Sequence, residues 1–269
     1  MVLMAVASFT DNDVLNLYGY TYFPQKWSLE AYEFLIKQGT VISKSFLNSI
    51  LVTFMGTALG IMVTVLLAYT ISRKELVGRK LIMLFVFFTM LFNGGMVPTY
   101  LMYTQIFHIK NTMWALLFPH LLVNGFNVLL VRTFFNENIP EVLLEAARID
   151  GAGEISIFRN VVLPISKPIL ATIGLLVGVG YWNDWYNAML YISDNEMFPL
   201  QYFLYEQINN IQAYRKILSS AASGAVAAAF NLPTQSLKMA LTVVATGPIV
   251  FAYPFVKKYF VQGITIGAV

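Results

Sequence analysis

The chain has 269 residues, of which 58% are hydrophobic and only 12% are charged, and its formal net charge is +3. Soluble domains carry about 25% charged residues, so this composition is typical of a membrane protein. In a membrane protein the placement of scattered basic residues reports topology, and we expect no nucleic-acid partner. The chain has no cysteine and two histidines, which excludes disulfides and thiolate metal sites, and we expect no metal site.

The first ten residues, Met1–Thr10, are apolar but shorter than the ~20 residues that a membrane span needs. They lack the basic segment of a signal peptide. We interpret them as the outer end of a first membrane helix whose start precedes this numbering, with a re-entrant or surface segment as the alternative. Tyr20–Lys37 then reads as a folded extracellular piece, with Ser28 as a helix N-cap.

Further membrane spans are indicated by five long apolar stretches: Phe46–Ser72, Leu81–Tyr103, Asn111–Phe134, Pro164–Ile192 and Gln235–Phe255. The connector RKELVGRK between the first two carries four cations, which marks it as cytoplasmic. Alternation then places 11–44 and 193–234 outside the cell and 135–163 inside, with both chain ends in the cytoplasm. The sequence predicts an all-α polytopic membrane protein with six transmembrane helices, the first truncated, as a single transmembrane domain over 1–269.

Glycine and proline interrupt two of these spans. Gly94, Gly95 and Pro98 lie within Leu81–Tyr103, and Pro119 lies within Asn111–Phe134. Such residues are tolerated in membrane helices where neighbouring groups satisfy the backbone. The sequence leaves two interpretations open, namely ordinary kinks or breaks that line a translocation path.

The stretch EAARIDGAGEISIFRNVVLP, within the predicted cytoplasmic segment 135–163, is polar and regular. Pro140 suits the first turn of a helix, and Gly151 suits the turn that ends it. A second short helix is predicted from Glu154 to about Val161, stopping at the proline that closes the stretch. The pattern therefore predicts two helical arms, each too short to cross a membrane.

The charges of this stretch favour a protein partner over a lipid surface. Helices that bind headgroups are usually rich in Lys and Arg, whereas this one is mixed with a slight acidic excess. The sequence therefore predicts that Glu145, Arg148 and Asp150 are available to a protein partner on the cytoplasmic side.

The same stretch carries a family resemblance. Glu145-Ala146-Ala147, three residues, Gly151, nine residues, Val161, one residue and Leu163-Pro164 resemble the EAA loop of binding-protein-dependent ABC importer permeases, with Val161 in place of isoleucine. The surrounding sequence, including NSILVTFMGTALGIMVTVLLAYTISR and WNDWYNAMLYI, resembles the carbohydrate-uptake branch. The likeness covers most of the chain from about residue 20 onward.

The resemblance implies a permease subunit in a prokaryotic plasma (inner) membrane that translocates oligosaccharides. Its EAA loop would form coupling helices that dock into a cytoplasmic ATPase, and the residues implied in this coupling are Glu145, Ala146, Ala147, Asp150, Gly151, Leu163 and Pro164. The implied partners are a second homologous permease, an ATPase dimer, an extracellular solute-binding protein, the oligosaccharide and membrane lipid.

ATP chemistry is expected to lie outside this chain. The sequence has no G-x-x-x-x-G-K-[ST] phosphate loop, so the ATPase partner would bind ATP and Mg. We expect no catalytic residue and no cofactor here, and we predict a protein that is not an enzyme by itself.

An aromatic and polar segment, GYWNDWYNAMLY, supplies the predicted substrate path: Trp182, Asn183, Asp184, Trp185 and Tyr186. Aromatic faces suit the apolar faces of sugar rings, and a carboxylate in or near a span is a functional candidate. Helical spacing predicts that Trp182, Trp185 and Tyr186 share one face. That face would line the outer pathway or meet the binding protein, and an interfacial aromatic belt is the alternative. In the resembled importers, the main sugar contacts can instead lie in the partner permease.

Two other functions remain as alternatives at this stage. An importer for a peptide or another non-sugar solute would share the EAA loop. A secondary transporter or channel would predict acid–base chains within the membrane or repeat symmetry, and neither pattern is visible in the sequence.

Overall fold

The computed structural model describes residues 1–37, 39–220, 235–248 and 250. This part of the chain contains no β-strand, only an isolated antiparallel bridge between Thr10 and Trp27, so the predicted all-helical class is confirmed. Residues 221–234 of the predicted outer connector and 251–255 of the last predicted span lie outside the described residues.

The described helices, in chain order, are α1 Val2–Ser8, α2 Asn12–Tyr18, α3 Glu30–Lys37, α4 Gly39–Ser72, α5 Arg79–Leu91, α6 Met96–Leu101, α7 Trp114–Leu117, α8 Gly125–Asn138, α9 Glu141–Ile149, α10 Glu154–Ile157, α11 Leu163–Ile165, α12 Lys167–Trp182, α13 Tyr186–Tyr191, α14 Leu200–Ser220 and α15 at 235–248. Two π-helical turns, Met102–Ile106 and Phe158–Val162, and a 3₁₀ turn, Asn195–Met197, supplement them. The chain divides into two compact units, Met1–Ile50 with the described part of Asp184–Ala252, and Leu51–Asn183.

The first unit is held by polar contacts between the start of α4 and the segment leading into α14. The Ser49 hydroxyl accepts a hydrogen bond from the Leu200 backbone N–H at 2.8 Å, and both residues are buried. The Asn48 amide donates to the Glu196 carbonyl at 2.8 Å, and Lys44 pairs with the Glu196 carboxylate at 3.0 Å. The Ser49 and Asn48 side chains thereby satisfy backbone groups near the start of α14.

The second unit packs α4 closely against α12 through small residues. A Cβ at Gly56 would lie 2.5 Å from the Tyr181 ring, which leaves no room for a side chain. Tyr181 is buried, and its hydroxyl donates to the Leu117 carbonyl at 2.7 Å. Glycine at such positions lets the backbones of membrane helices approach closely.

Membrane-spanning length is reached by fewer helices than the sequence predicted. Among the described residues, α4 is the one helix long and apolar enough to cross a membrane, and two bent pairs qualify if each counts as one span. The pairs are Arg79–Leu91 with Met96–Ile106, bent by 116°, and Glu154–Ile165 with Lys167–Trp182, bent by 81°. The predicted count of six is therefore not confirmed.

The predicted bounds of the first two complete spans need correction. Helix α4 begins at Gly39 rather than Phe46, so the end of the predicted outer segment 11–44 is already helical. The span Leu81–Tyr103 is not continuous, because α5 ends at Leu91 and the backbone N–H of Gly95 (φ +84°) binds the Asn93 side chain at 2.9 Å. This local turn competes with the helical hydrogen-bond ladder.

The next two predicted spans are also broken. Asn111–Phe134 contains only the short α7 before Pro119, which has no N–H to continue a helix, and α8 starts anew with Asn124 as its N-cap. Pro164–Ile192 is interrupted after Trp182, where α12 ends. Pro119 was already identified in the sequence as an interruption, whereas hydropathy gave no sign of the break after Trp182.

Candidate functional site

The first arm of the EAA stretch is helix α9, and its ends match the sequence prediction. Pro140 precedes the helix, and Gly151 follows it with φ +81°. The backbone N–H of Ala152 donates to the Ala147 carbonyl at 2.9 Å, and the N–H of Gly151 donates to the Arg148 carbonyl at 3.0 Å. This pair of bonds is a Schellman motif, which requires the left-handed conformation that glycine adopts without strain.

The second arm runs further than predicted. Helix α10 continues through the π-helical turn Phe158–Val162 into α11, so the chain does not stop at Pro164. Pro164 lies in α11, directly after the π-helical turn. The bend comes at Ser166, whose hydroxyl donates to the Val162 carbonyl at 2.7 Å before α12 begins.

One face of α9 is exposed and partly apolar. Within α9, whose residues are all described, Leu144 alone is buried. The opposite side presents Val142, Glu145, Ala146 and Ile149, which share a face at helical spacing, and we call these four residues the α9 outer face. Val142 is 71% exposed and Ile149 is 86% exposed. Exposed aliphatic side chains around a carboxylate and a small residue are typical of a surface that contacts another protein.

The other predicted coupling residues differ in exposure. Asp150 and Gly151 are exposed at the turn, and Ile155 on the second arm is 84% exposed. Ala147 and Leu163 are half-buried, and Pro164 is exposed.

Arg148 lies in the last turn of α9, and its guanidinium binds two carboxylates of the same unit. Its guanidinium binds the Glu75 carboxylate at 2.9 Å and the Glu154 carboxylate at 3.0 Å. A second ion pair, Lys74 with Glu141 at 2.7 Å, lies at the other end of α9. These bonds occupy the guanidinium within the same unit while the side chain stays 35% exposed, so the partner contact of Arg148 stays a prediction.

These ion pairs border a cleft of about 410 Å³ between the turn after α4 and the start of α9. The backbone N–H of Glu75 and then the Arg148 guanidinium lower the pKa of the Glu75 carboxyl. Hydrogen bonds to Glu75 and Glu154 raise the pKa of Arg148. Because each group's charged form is favoured, the pair is intact at neutral pH.

The predicted substrate-path residues do not form one helical face. Trp182 is the last residue of α12 and is buried, and Asn183 is exposed with its amide bonded to the Val179 carbonyl at 3.0 Å. Asp184 begins the other unit, where its carboxylate accepts from the Asn187 backbone N–H at 3.1 Å and from the Asn187 side chain at 2.7 Å. The prediction that Trp182, Trp185 and Tyr186 share one helical face is wrong, because α12 ends at Trp182 and the next helix begins only at Tyr186.

An aromatic row in the first unit includes residues that the sequence analysis did not single out. Trp185 stacks on Tyr205 with ring centroids 4.4 Å apart, and Tyr205 lies 6.4 Å from Tyr202 at a similar tilt. Tyr186 meets Trp185 edge to face at 6.0 Å. Trp185, Tyr186 and Tyr205 are each slightly over one third exposed. The spacing of Phe198, Tyr202 and Tyr205, four and three residues apart, was the signal that could have found them.

The described residues thus combine apolar helices, a two-armed polar loop and a partly exposed aromatic row, which is the arrangement expected of a membrane transport subunit. The family model "Binding-protein-dependent transport system inner membrane component" matches residues 56–266. The chain belongs to this family and is an inner membrane component of such a transport system. Membership decides against the alternative of a secondary transporter.

Two named relatives and one solved structure support the same assignment. The chain is 39% identical over 246 residues to the "Polygalacturonan/rhamnogalacturonan transport system permease protein YtcP" of Bacillus subtilis (strain 168), covering 91% of this chain and 83% of that protein. It is 30% identical over 234 residues to the "Melibiose/raffinose/stachyose import permease protein MelC" of the same organism, covering 85% and 76% of the two chains. A crystal structure of a bacterial ABC transporter involved in alginate import matches with TM-score 0.81 and 27% identity, covering 96% of this chain and 89% of that chain.

Proposed function

We propose that this chain is the membrane-spanning permease subunit of an ATP-driven importer for oligosaccharides delivered by an extracellular binding protein. A partner ATPase dimer binds ATP and Mg, and a second homologous permease completes the membrane assembly. The observation that carries the coupling role is the α9 outer face, with Glu145 between exposed aliphatic side chains and Gly151 closing the helix at φ +81°. Ala146 has a small side chain, which permits close approach of a partner.

The proposed topology has six membrane crossings, with both chain ends cytoplasmic and with 11–44 and 193–234 outside, in one domain over 1–269. Its main support is the pair of ion bridges between the basic turn after α4 and α9. Lys74–Glu141 and Glu75–Arg148 bring the turn and the coupling loop 135–163 together. Two segments in ionic contact lie on the same side of a bilayer, and positive charge marks that side as cytoplasmic.

Docking of the ATPase is tested by Glu145→Lys in the complete transporter. Charge reversal at the centre of the α9 outer face opposes a basic partner surface, so we expect less ATPase to co-purify with the permease. Glu33→Lys is the matched control, because Glu33 is also an exposed helical glutamate but lies in the segment proposed to be extracellular. Undiminished ATPase association with Glu145→Lys would contradict the docking role.

The oligosaccharide substrate is proposed from the names of the relatives and from the aromatic row. Stacked, partly exposed rings at Trp185 and Tyr205 suit the apolar faces of sugars, and Asn183 and Asp184 provide hydrogen-bonding groups nearby in sequence. Relatives named for polygalacturonan/rhamnogalacturonan transport and for melibiose/raffinose/stachyose import both match this chain. The aromatic residues would line the outer route, whether or not the partner permease makes the main sugar contacts.

The substrate is tested by growth of a strain lacking this gene on oligogalacturonate, on raffinose and on short peptides as nutrient sources. We expect the deletion to abolish growth on an oligosaccharide, and growth to return when the gene is restored. Tyr205→Ala should slow uptake of that sugar more than Tyr205→Phe, which keeps the ring. Loss of peptide use with full sugar use would contradict the proposal.

A further inference from the structure

Arg148 links three separate elements of the second unit. It belongs to α9, yet its guanidinium reaches Glu75 in the turn after α4 at 2.9 Å and Glu154 at the start of α10 at 3.0 Å. Its Nε also donates to the same Glu154 oxygen at 3.2 Å. The planar fork of arginine can hold two carboxylates in fixed directions at once, which a lysine ammonium cannot do with the same geometry.

The link continues into the membrane helix α4. The second carboxylate oxygen of Glu154 accepts a hydrogen bond from the Tyr69 hydroxyl at 2.7 Å. Tyr69 lies in the last turn of α4, only 9% exposed, and its ring contacts that of Phe158 with centroids 4.9 Å apart. A continuous set of hydrogen bonds therefore joins the first arm, the second arm and the end of α4.

The packing of α9 explains why these bonds matter for its position. Leu144 is the single buried residue of α9, all of whose residues are described, so few apolar contacts fix how the helix is oriented. The ion pair Lys74–Glu141 holds the start of α9, and Arg148 holds its end. Both attachments are to consecutive residues, Lys74 and Glu75, in the turn after α4.

We propose that Arg148 is a positioning residue that fastens α9 to the end of α4, so that a displacement of the coupling loop moves this membrane helix with it. This inference rests on the proposed coupling function, but it assigns Arg148 a role inside the permease instead of at the ATPase contact. Glu145 binds the partner, and Arg148 passes the displacement on through Glu75, Glu154 and Tyr69.

The proposal is tested in the complete transporter reconstituted into vesicles with its binding protein and substrate. Arg148→Gln, Glu75→Gln and the double variant are compared for ATPase association and for substrate transported per ATP hydrolysed. We expect unchanged association and a fall in transport per ATP of about two- to thirty-fold, the range that residues coupling two sites usually carry. The double variant should resemble the single variants, because each single variant already breaks the same Arg148–Glu75 link.

Arg159→Gln is the matched control, since Arg159 is an exposed arginine of the second arm in the same loop. Glu75→Gln removes the link without altering α9, so it keeps the test valid if Arg148→Gln lowers the yield of folded protein. Arg148→Lys should restore only part of the transport per ATP.

Three results would overturn this role. Normal transport per ATP in Arg148→Gln would show that the link is dispensable. Loss of ATPase association would assign Arg148 to the docking surface instead. Additive losses in the double variant would mean that Arg148 does not act through Glu75. A failure of the proposed docking function would look different. In that case Glu145→Lys leaves ATPase association unchanged, whereas Arg148→Gln still alters transport per ATP.

Discussion

At the scale of single residues, Gly151 is required for its backbone conformation. Its φ of +81° lies in the left-handed region, and apart from Gly151 and its two chain neighbours no described residue comes within 4 Å of the position that a Cβ would take. Space is therefore available for a side chain, whereas the conformation is unfavourable for any residue with a Cβ. A left-handed non-glycine residue costs about 1–2 kcal/mol, and a β-branched side chain makes it a true outlier.

Gly151→Val is predicted to uncouple transport from ATP hydrolysis while membrane insertion stays normal. Valine at this position strains the Schellman turn and changes the angle between the two arms. Transport and phosphate release are measured in vesicles, with insertion checked by membrane fractionation. Gly153→Val is the control, because Gly153 has φ −73° and no described neighbour within 4 Å of its Cβ position. Normal transport with Gly151→Val would refute the need for this turn.

The residue scale also shows where sequence reasoning succeeds and where it fails. Gly151 was predicted correctly because a glycine directly after an amphipathic helix is a local signal. The partners of Arg148 could not be predicted in this way, since Glu75 lies 73 positions earlier in the chain. A surface arginine looks the same in sequence whether its partner lies in another protein or in the same fold.

At the scale of helices, hydropathy identified apolar stretches but did not determine whether they are straight. The stretch Leu81–Tyr103 is apolar along its length, yet it breaks where the Asn93 side chain takes the backbone N–H of Gly95. The break after Trp182 is similar, with Asp184 bound to the backbone N–H of Asn187. Asparagine and aspartate side chains compete with helical hydrogen bonds, and a hydropathy average does not register this competition.

Close packing of α4 on α12 gives a prediction at this scale. Gly56→Ala places a methyl group 2.5 Å from the ring of Tyr181, which is buried and hydrogen-bonded to Leu117 and so resists displacement. Overpacking of this kind costs about 1–3 kcal/mol in free energy of unfolding. We expect a lower melting temperature for the purified protein in detergent, measured by a thermal unfolding assay.

The control for this variant is Gly39→Ala in the same helix. No described heavy atom lies within 4 Å of a Cβ at Gly39, and alanine is a better helix former than glycine, so stability should stay the same or rise. Equal melting temperatures for the two variants would mean that the contact with Tyr181 adapts without cost.

At the scale of the whole molecule, composition indicates the class of protein. A chain with 58% hydrophobic residues is typical of a membrane protein, and we propose that ATP is bound by another subunit. The family match over residues 56–266 agrees with this assignment as a transport component.

We predict that the purified chain releases no phosphate from ATP, because the proposed function assigns ATP binding to a partner ATPase. The complete assembly with its ATPase should hydrolyse ATP and respond to the loaded binding protein. Phosphate release is measured for both preparations, and the assembly carrying Gly151→Val serves as a comparison that should hydrolyse ATP without matching transport. ATP hydrolysis by the chain alone at the rate of the assembly would refute the assignment.

The sequence by itself determined the helical membrane class, the family resemblance and the short helix that precedes Gly151, because hydropathy, motif spacing and glycine turns are local properties. The tertiary structure alone decided that Arg148 is bound by Glu75 and Glu154, that the aromatic row extends to Tyr205, and that α4 approaches α12 at Gly56. These contacts join residues that are distant in the chain or separated by a helix break. Their geometry follows from how helices pack, which no local pattern specifies.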